Sequence, residues 1–192
     1  EIEDTLGAID ILVNNAGVAL ISGGILNEPE ETWDITIETH LNATFLLSKL
    51  AATSMSQRKR GKIINISSTA GKRGVARYAA YCASKFAVRG FSESLRAELA
   101  DDNVGVTSVH PGAIKTNIIQ NARLVTDTHT ELRDATQRLF DRLGTTPDVV
   151  AAQKSRWPEF FTGYENLDAY TGQLQHIEAG KTHPCCQTGY HS

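Results

Sequence analysis

Three short apolar segments, separated by two long stretches with helical patterning, restrict the fold of this chain more than any other feature. The segments are IDILV at 9–13, KIINIS at 62–67 and VGVTSVHPG at 104–112, and each ends in turn-forming or small polar residues. The stretches between them, 29–56 and 79–100, carry apolar residues at helical spacing. Apolar strands that alternate with long helices predict a doubly wound α/β fold built on a parallel sheet.

The chain divides into two parts at about residue 150. Residues 1–150 carry the strand and helix pattern, including a further amphipathic helix at 131–143. Residues 151–192 contain no valine and one isoleucine, which predicts a divergent, poorly ordered tail without a core strand. The tail holds five possible metal ligands, but their spacing matches no known zinc framework and we predict no metal site: His176, His183, Cys185, Cys186 and His191.

Charge and composition argue against several classes of function. The net charge is −3, and the one basic cluster, QRKRGK at 57–62, is typical of an exposed helix end, so we expect no nucleic-acid partner. No apolar run has the length of a membrane span, and the acidic N-terminus lacks the features of a signal peptide. Three cysteines do not form a disulfide framework. These observations predict a cytoplasmic protein with no membrane partner.

The stretch RYAAYCASKFAV at 77–88 places two tyrosines ahead of one lysine in a predicted helix. Tyr81 and Lys85 are four residues apart and share a helix face, so both can reach one ligand. Along the helix axis Tyr78 lies about 10 Å from Lys85, which is too far for direct cooperation between the two side chains. A lysine charge beside a phenol favours the phenolate, so we expect Lys85 to lower the pKa of Tyr81. The spacing alone also fits an ordinary surface pair.

Four motifs in a fixed order make the pattern specific. NNAG follows the first strand, INISS ends the second, YCASK opens the next helix, and HPGAIKT follows the third strand. In this order and spacing the motifs resemble the short-chain dehydrogenase/reductase family over roughly residues 1–150. The resemblance implies a Rossmann-like fold and an enzyme that transfers hydride between NAD or NADP and a secondary alcohol or ketone.

The family pattern also implies catalytic roles, carried over one position at a time. Tyr81 corresponds to the general acid and base, and Lys85 to the residue that binds the nicotinamide ribose and lowers the tyrosine pKa. Of the adjacent serines, the family spacing selects Ser68 to orient and polarise the substrate oxygen, and it leaves Ser67 with a structural role. Without the resemblance, either serine could be an ordinary turn residue at a strand end.

Cofactor contacts follow from the resemblance in the same way. Asn14, Ala16 and Gly17 match the signature beside the adenosine half, where the asparagine also ties neighbouring strands together. Pro111 and Gly112 match the turn near the nicotinamide, and Thr116 matches the threonine that binds its carboxamide. His110 lies just before them; no partner motif requires it, and we interpret it as a packing residue and not as a catalyst.

The sequence departs from the family at the catalytic asparagine. An ungapped alignment through Trp33 and Phe45 places His40 at that position, whereas Asn42 lies on another helix face. The family asparagine acts largely through its main-chain carbonyl, which holds a water of the proton relay. His40 is therefore a candidate catalytic residue whose side chain differs from the family pattern.

A second departure concerns the glycine-rich turn that holds the cofactor pyrophosphate in a dinucleotide fold. SGG at 22–24 and GKRG at 71–74 do not fit it, so we expect that the first βαβαβ half is largely missing from this sequence. The leading hypothesis is an NAD(P)-dependent oxidoreductase acting on a small molecule as a homodimer or homotetramer. Two alternatives are an inactive remnant that acts as an interaction module and a family enzyme, such as an isomerase or dehydratase, that uses His40.

Overall fold

A computed structural model describes residues 2–124 and 130–152 of the chain. Its centre is a three-stranded sheet in the order β1 (Ile11–Asn14), β3 (Gly61–Ile66), β4 (Val104–Val109). Both pairings are parallel, and Asn14 lies opposite Asn65 in the register. The parallel Rossmann-like α/β class predicted from the strand and helix alternation is confirmed.

Six helices accompany the strands in the described ranges. They are α1 (Ile2–Leu6), α2 (Glu30–Ile37), α3 (Ala43–Arg58), α4 (Ala79–Glu98), α5 (Thr130–Leu143) and α6 (Pro147–Ala152). Two glutamates in the first turn of α2 complement the positive end of its dipole. The helix predicted at 131–143 is therefore confirmed as α5, and the one predicted at 79–100 as α4.

The helix predicted over 29–56 contains an irregularity that the sequence pattern did not indicate. A turn of π-helix, Glu38–Asn42, joins α2 to α3, so the helical backbone continues but is locally wider. Such turns are rare and occur mostly as single insertions within α-helices, often beside functional sites. His40 lies within this turn and is buried.

Helices α3 and α4 pack against the same face of the sheet. At the amino ends of the strands this face is apolar, with Met55 of α3 and Leu95 of α4 against Ile63 and Val106. Toward the carboxyl ends it becomes polar, because Ser48, Asn65 and Ser92 are fully buried there. Hydrogen bonds between these groups offset the cost of burying them.

A second, two-stranded sheet borders the carboxyl ends of the central strands. Strand β2 (Leu20–Ile21) pairs in parallel with β5 (Arg123–Leu124). Helix α5 contacts the start of α4 through a hydrogen bond of 2.9 Å between the Tyr78 and Thr136 hydroxyl groups. The predicted tail at 151–192 lies outside the described residues except for the end of α6.

Candidate active site

The site begins where the three parallel strands end at one edge of the sheet. In open α/β sheets ligands bind outside this carboxyl edge. The first strand delivers Asn14, whose Nδ2 donates to Asn65 Oδ1 at 2.8 Å and to Ser48 Oγ at 3.0 Å. Asn65 in turn donates to Ser92 Oγ at 2.9 Å. The predicted structural role of Asn14 in tying neighbouring strands together is confirmed.

Ser68 follows the end of β3 in an extended conformation, with φ −163° and ψ 164°. Its Oγ accepts a hydrogen bond of 3.1 Å from the Ala70 N–H. Ser68 is also near enough to Tyr81 for its side chain to lower the pKa of that phenol. Because the hydroxyl oxygen accepts from the backbone, the hydroxyl hydrogen is available to donate to a ligand.

Tyr81 and Lys85 both lie on the first turns of α4, as the spacing predicts. Lys85 Nζ donates to the Ile66 carbonyl oxygen at 3.0 Å and lies 5.7 Å from the centroid of the Tyr81 ring. Ser67 Oγ donates to the Lys85 carbonyl oxygen at 2.8 Å, which fixes the end of β3 against α4. Ser67 thus has the structural role expected of it, and the edge brings Ser68, Tyr81 and Lys85 together.

Close approach of the backbone at Gly71 makes this arrangement possible. A Cβ at this position would lie 2.5 Å from Ser67 Oγ and 2.6 Å from the Lys85 carbonyl oxygen. Such distances are far below van der Waals contact, so a residue with a side chain would force the loop away from α4. The loop after Ser68 therefore depends on glycine where it crosses the helix.

The electrostatics of Tyr81 differ from the expectation that Lys85 lowers its pKa. Burial raises the pKa of Tyr81, and the hydrogen bond from Ser68 opposes this effect. Burial also lowers the pKa of Lys85 to about 8. The predicted direction was wrong because desolvation of the phenolate outweighs its stabilisation. Near neutral pH Tyr81 is consequently a protonated phenol that can donate.

His40 connects three parts of the site. Its Nε2 accepts a hydrogen bond of 3.0 Å from the Val18 N–H, directly after the NNAG turn. Its Nδ1 lies 2.9 Å from Ser84 Oγ, which itself donates to the Tyr81 carbonyl oxygen at 2.8 Å. Gly17 is packed against the ring, because a Cβ there would lie 3.1 Å from Nε2.

These contacts define the protonation of the His40 ring. Since Nε2 accepts from a backbone N–H, Nδ1 carries the proton and donates to Ser84. Burial lowers the pKa of His40 to about 4, and the nearby charge of Lys85 acts in the same direction. Both nitrogens are engaged, so the neutral ring orients its neighbours and has no free nitrogen for proton transfer. Asn42 is exposed and donates to Glu38, away from the site.

Ser84 is a site residue that the sequence did not single out. It is fully buried and joins His40 to the backbone of Tyr81. It lies three residues after Tyr81, a spacing that places both on one side of the helix. That spacing was the available signal, but a small polar residue within a helix has many ordinary explanations.

The segment 110–116 follows β4, the third strand of the central sheet. Pro111 accepts a hydrogen bond of 3.0 Å from the Thr69 N–H through its carbonyl oxygen, so it lies beside the residue after Ser68. Gly112 follows it, and Thr116 is exposed further along the same segment. His110 is buried below Ser68. Because Pro111 lies beside Thr69, the segment with the predicted nicotinamide contacts begins next to Ser68.

Several features of this edge fit a dinucleotide. The buried Asn14 Oδ1 has no hydrogen-bond partner among the described residues. Lys85 Nζ has three donors, and within the same ranges the Ile66 carbonyl is the acceptor found for it. Ala16 and Gly17 are exposed, so the backbone of the NNAG turn is open to a ligand. The residues present therefore fit the predicted cofactor contacts.

Two other kinds of site, metal centres and membrane-spanning helices, are absent from residues 2–124 and 130–152. No group of three or more His, Cys, Asp or Glu side chains in these ranges is arranged to hold a metal ion. None of the helices in them combines the length and apolar character needed to cross a membrane.

Comparison with known proteins identifies the family. The family model for short chain dehydrogenases matches residues 1–126, which include all three strands of the central sheet and all the predicted site residues. This chain belongs to the short-chain dehydrogenase family.

Individual relatives agree with this assignment. A putative ketoacyl reductase of the monensin polyketide synthase from Streptomyces virginiae is 44% identical over 123 residues, covering 62% of this chain and 46% of the relative. The 3-oxoacyl-acyl-carrier-protein reductase FabG of Vibrio cholerae is 34% identical over 181 residues, covering 93% of this chain and 69% of the relative.

A solved structure resembles the fold. It is a gluconate 5-dehydrogenase from Burkholderia cenocepacia J2315 in complex with NADP and tartrate, with a TM-score of 0.59 and 32% identity. The match covers 61% of this chain and 46% of that protein. The chain thus spans about half the length of this dehydrogenase and of the monensin ketoacyl reductase.

Proposed function

We propose that this chain acts in an NAD(P)-dependent oxidoreductase that transfers hydride between the cofactor and a secondary alcohol or ketone. The observation that carries the proposal is the proximity of Ser68, Tyr81 and Lys85 at the carboxyl edge of the sheet, with Lys85 Nζ 5.7 Å from the centroid of the Tyr81 ring. Membership of the short-chain dehydrogenase family supports the reaction class.

In the reducing direction Ser68 and Tyr81 act on the same substrate atom. The Ser68 hydroxyl donates a hydrogen bond to the carbonyl oxygen and polarises it. The cofactor supplies the hydride that is added to the carbonyl carbon. Tyr81 gives its phenolic proton to the oxygen, which yields the alcohol and leaves a phenolate that regains a proton from solvent. Burial supports this direction because it keeps Tyr81 protonated near neutral pH.

The NAD or NADP would be held along the edge of the sheet. Lys85 has donors available for the ribose hydroxyl groups, close to the phenol of Tyr81. The remaining contacts are the ones given by the family pattern: Asn14, Ala16 and Gly17 beside the adenosine half, and Pro111, Gly112 and Thr116 beside the nicotinamide. His40 supports this arrangement by fixing the backbone of Val18 and, through Ser84, that of Tyr81.

The alternative function, in which His40 is the catalytic residue of an isomerase or dehydratase, is not supported. A general base needs a nitrogen that can accept a proton from substrate. The Nε2 of His40 accepts from the Val18 N–H, and burial lowers its pKa to about 4. We therefore assign the side chain of His40 an orienting role in the oxidoreductase.

We also propose that the protein is cytoplasmic and forms a homodimer or homotetramer. Helix α3 exposes a row of large apolar residues, and Phe45 on it contacts Phe91 of α4 edge to face at 6.1 Å. Leu50 on the same helix is 71% exposed. Exposed apolar surface on adjacent helices is typical of an interface between protein chains. In the family the corresponding helices pair between subunits.

The proposal is tested with the purified protein. Oxidation of NADPH and of NADH is followed by absorbance with a panel of ketones, and cofactor affinity is measured by fluorescence titration. We expect one cofactor to support turnover, and Lys85→Met to weaken its binding about tenfold or more, since a charged hydrogen bond contributes roughly 1.5–3 kcal/mol. A folded protein that binds neither cofactor would refute the proposal.

A further inference from the structure

We propose that His110 is a positioning residue that holds the Ser68 peptide in its reactive orientation, an inference that rests on the proposed oxidoreductase function. The His110 side chain is 2% exposed and lies below the carboxyl edge of the sheet. Its Nδ1 is 3.0 Å from the Ser68 carbonyl oxygen, and its Nε2 is 3.1 Å from Ser108 Oγ. The ring therefore joins β4 to the residue that activates the substrate.

The two contacts define one tautomer. A carbonyl oxygen can only accept, so Nδ1 must carry the proton that it donates to Ser68. Nε2 then has a free lone pair and accepts from the Ser108 hydroxyl. The pKa of His110 is lowered to about 4, chiefly by burial; the hydrogen bond to Ser68 and the charge of Glu93 oppose this shift, and the charges of Lys72 and Arg89 add to it. The ring is consequently neutral in the range where dehydrogenases are assayed, and the direction of its hydrogen bonds is fixed.

His110 completes a set of contacts between the ends of two strands. The Ser67 N–H donates to the Val109 carbonyl at 2.7 Å, and the Thr69 N–H donates to the Pro111 carbonyl at 3.0 Å. The His110 side chain supplies a donor at this place and directs it to the Ser68 carbonyl.

The orientation of the Ser68 peptide controls its hydroxyl group. The backbone of Ser68 is extended, and its side-chain Oγ accepts a hydrogen bond from the Ala70 N–H. A rotation of the peptide would move Oγ away from Tyr81 and from the substrate oxygen. Small displacements of a reacting group reduce rates strongly, because catalysis depends on a near-attack geometry. His110 thus acts on the reaction through Ser68 and does not touch the substrate.

Two substitutions of similar polarity separate this role from packing. In His110→Asn the amide nitrogen lies at about the distance of Nδ1 from the backbone and can still donate to the Ser68 carbonyl. In His110→Gln the amide reaches the Nε2 position instead. We expect His110→Gln to lower kcat for ketone reduction roughly tenfold or more, as expected for a displaced hydrogen-bond donor. We expect His110→Asn to stay within about threefold of the wild type and both variants to keep the cofactor Kd within about twofold.

A double-mutant cycle in the full-length protein checks the route of the effect. If His110 acts through Ser68, His110→Gln lowers kcat no further once Ser68→Ala has removed the hydroxyl. Losses that multiply, or equal losses in the Asn and Gln variants, would overturn the inference. Ser108→Ala is the second variant should His110→Gln fail to fold. It frees Nε2 from its donor and is expected to lower kcat roughly threefold to tenfold relative to the wild type, and an unchanged kcat would overturn the inference.

One readout does not depend on activity. Nitrogen-15 NMR of histidine-labelled protein distinguishes the two neutral tautomers of each ring. We expect His110 to be protonated on Nδ1 and to remain neutral from pH 8 down to about 5. Protonation on Nε2 would overturn the inference whether or not the protein is active. A wild-type protein with the expected tautomer and no ketone reduction would instead refute the proposed function.

Discussion

The imidazole of His40 meets the phenol ring of Tyr81 edge to face, with ring centroids 5.6 Å apart and planes at 82°. The same histidine is linked through Ser84 to the backbone of Tyr81 and directly to the backbone of Val18. The side chain at the predicted position of the family asparagine therefore contacts both the residue after the NNAG turn and the predicted acid. We propose that it holds these two parts in register.

Replacing His40 tests this orienting role. An asparagine can accept from the Val18 N–H through its oxygen and donate to Ser84 through its nitrogen, whereas leucine can do neither. We expect His40→Asn to keep kcat within about fivefold of the wild type and His40→Leu to lower it roughly a hundredfold, since positioning errors act strongly on rate. Steady-state ketone reduction measures both. Loss of activity in His40→Asn would mean that the imidazole itself transfers a proton.

The two buried histidines predict a loss of stability on acidification. The pKa values of His40 and His110 are lowered from 6.5 to about 4 in the folded protein. Between these values the unfolded chain binds more protons, so acidification favours unfolding. The stabilisation is complete above about pH 6.5 and is lost as the pH falls toward about 4, by about 3 kcal/mol for each histidine.

Urea unfolding at pH 7 and pH 5 measures this dependence. The transition midpoint should fall at pH 5, and His40→Asn should reduce the fall, because one of the two protonation steps is removed. An equal pH dependence in wild type and variant would show that His40 does not titrate on unfolding as its burial implies.

Replacing Tyr81 or Tyr78 with phenylalanine tests which of the two tyrosines is the general acid. Tyr81→Phe removes the proton donor and should lower kcat by about 10²–10⁴-fold, the range for loss of general acid catalysis. Tyr78→Phe removes a hydrogen bond to Thr136 and should leave kcat unchanged at a cost of about 1 kcal/mol in stability. Kinetics and thermal unfolding of both variants decide the matter. Equal kinetic losses would assign the acid role to neither residue.

The strands, their parallel arrangement and the residues at their ends could be predicted because they rest on local patterns. Apolar runs ended by NNAG, INISS and HPG mark three parallel strands whose ends must meet, so Asn14, Ser68 and Pro111 could be placed at one edge. The spacing of Tyr81 and Lys85 then added the helix that faces them.

Features that depend on tertiary packing could not be predicted in the same way. The raised pKa of Tyr81 results from burial, which no spacing of residues reports. The π-helical turn at Glu38–Asn42 and the link from His40 through Ser84 depend on how α3 and α4 approach each other. His110 was interpreted as packing because its two partners, Ser108 and the Ser68 carbonyl, are brought together only by strand pairing.

Alanine substitutions at Gly71 and Gly74 test the close approach between the loop after Ser68 and helix α4. An alanine at position 71 would meet Ser67 Oγ and the Lys85 carbonyl, whereas nothing lies within 4 Å of a Cβ at position 74. Gly71→Ala should cost about 1–3 kcal/mol of stability, as for other overpacked sites, and should also lower kcat. Gly74→Ala should leave both within error. A Gly71→Ala protein with unchanged stability and kcat would mean that the loop can move without disturbing Ser68.

The exposed row on α3 predicts how copies of the protein associate. If Leu50 is covered by a second copy, a glutamate at this position places a charge in an apolar interface, which is strongly unfavourable without a partner. We expect Leu50→Glu to shift the full-length protein toward the monomer in light scattering coupled to size-exclusion chromatography. Leu26 is 95% exposed and lies outside α3, so Leu26→Glu is the matched control and should leave the mass unchanged. An unchanged mass in Leu50→Glu, with the wild type oligomeric, would place the interface on another surface.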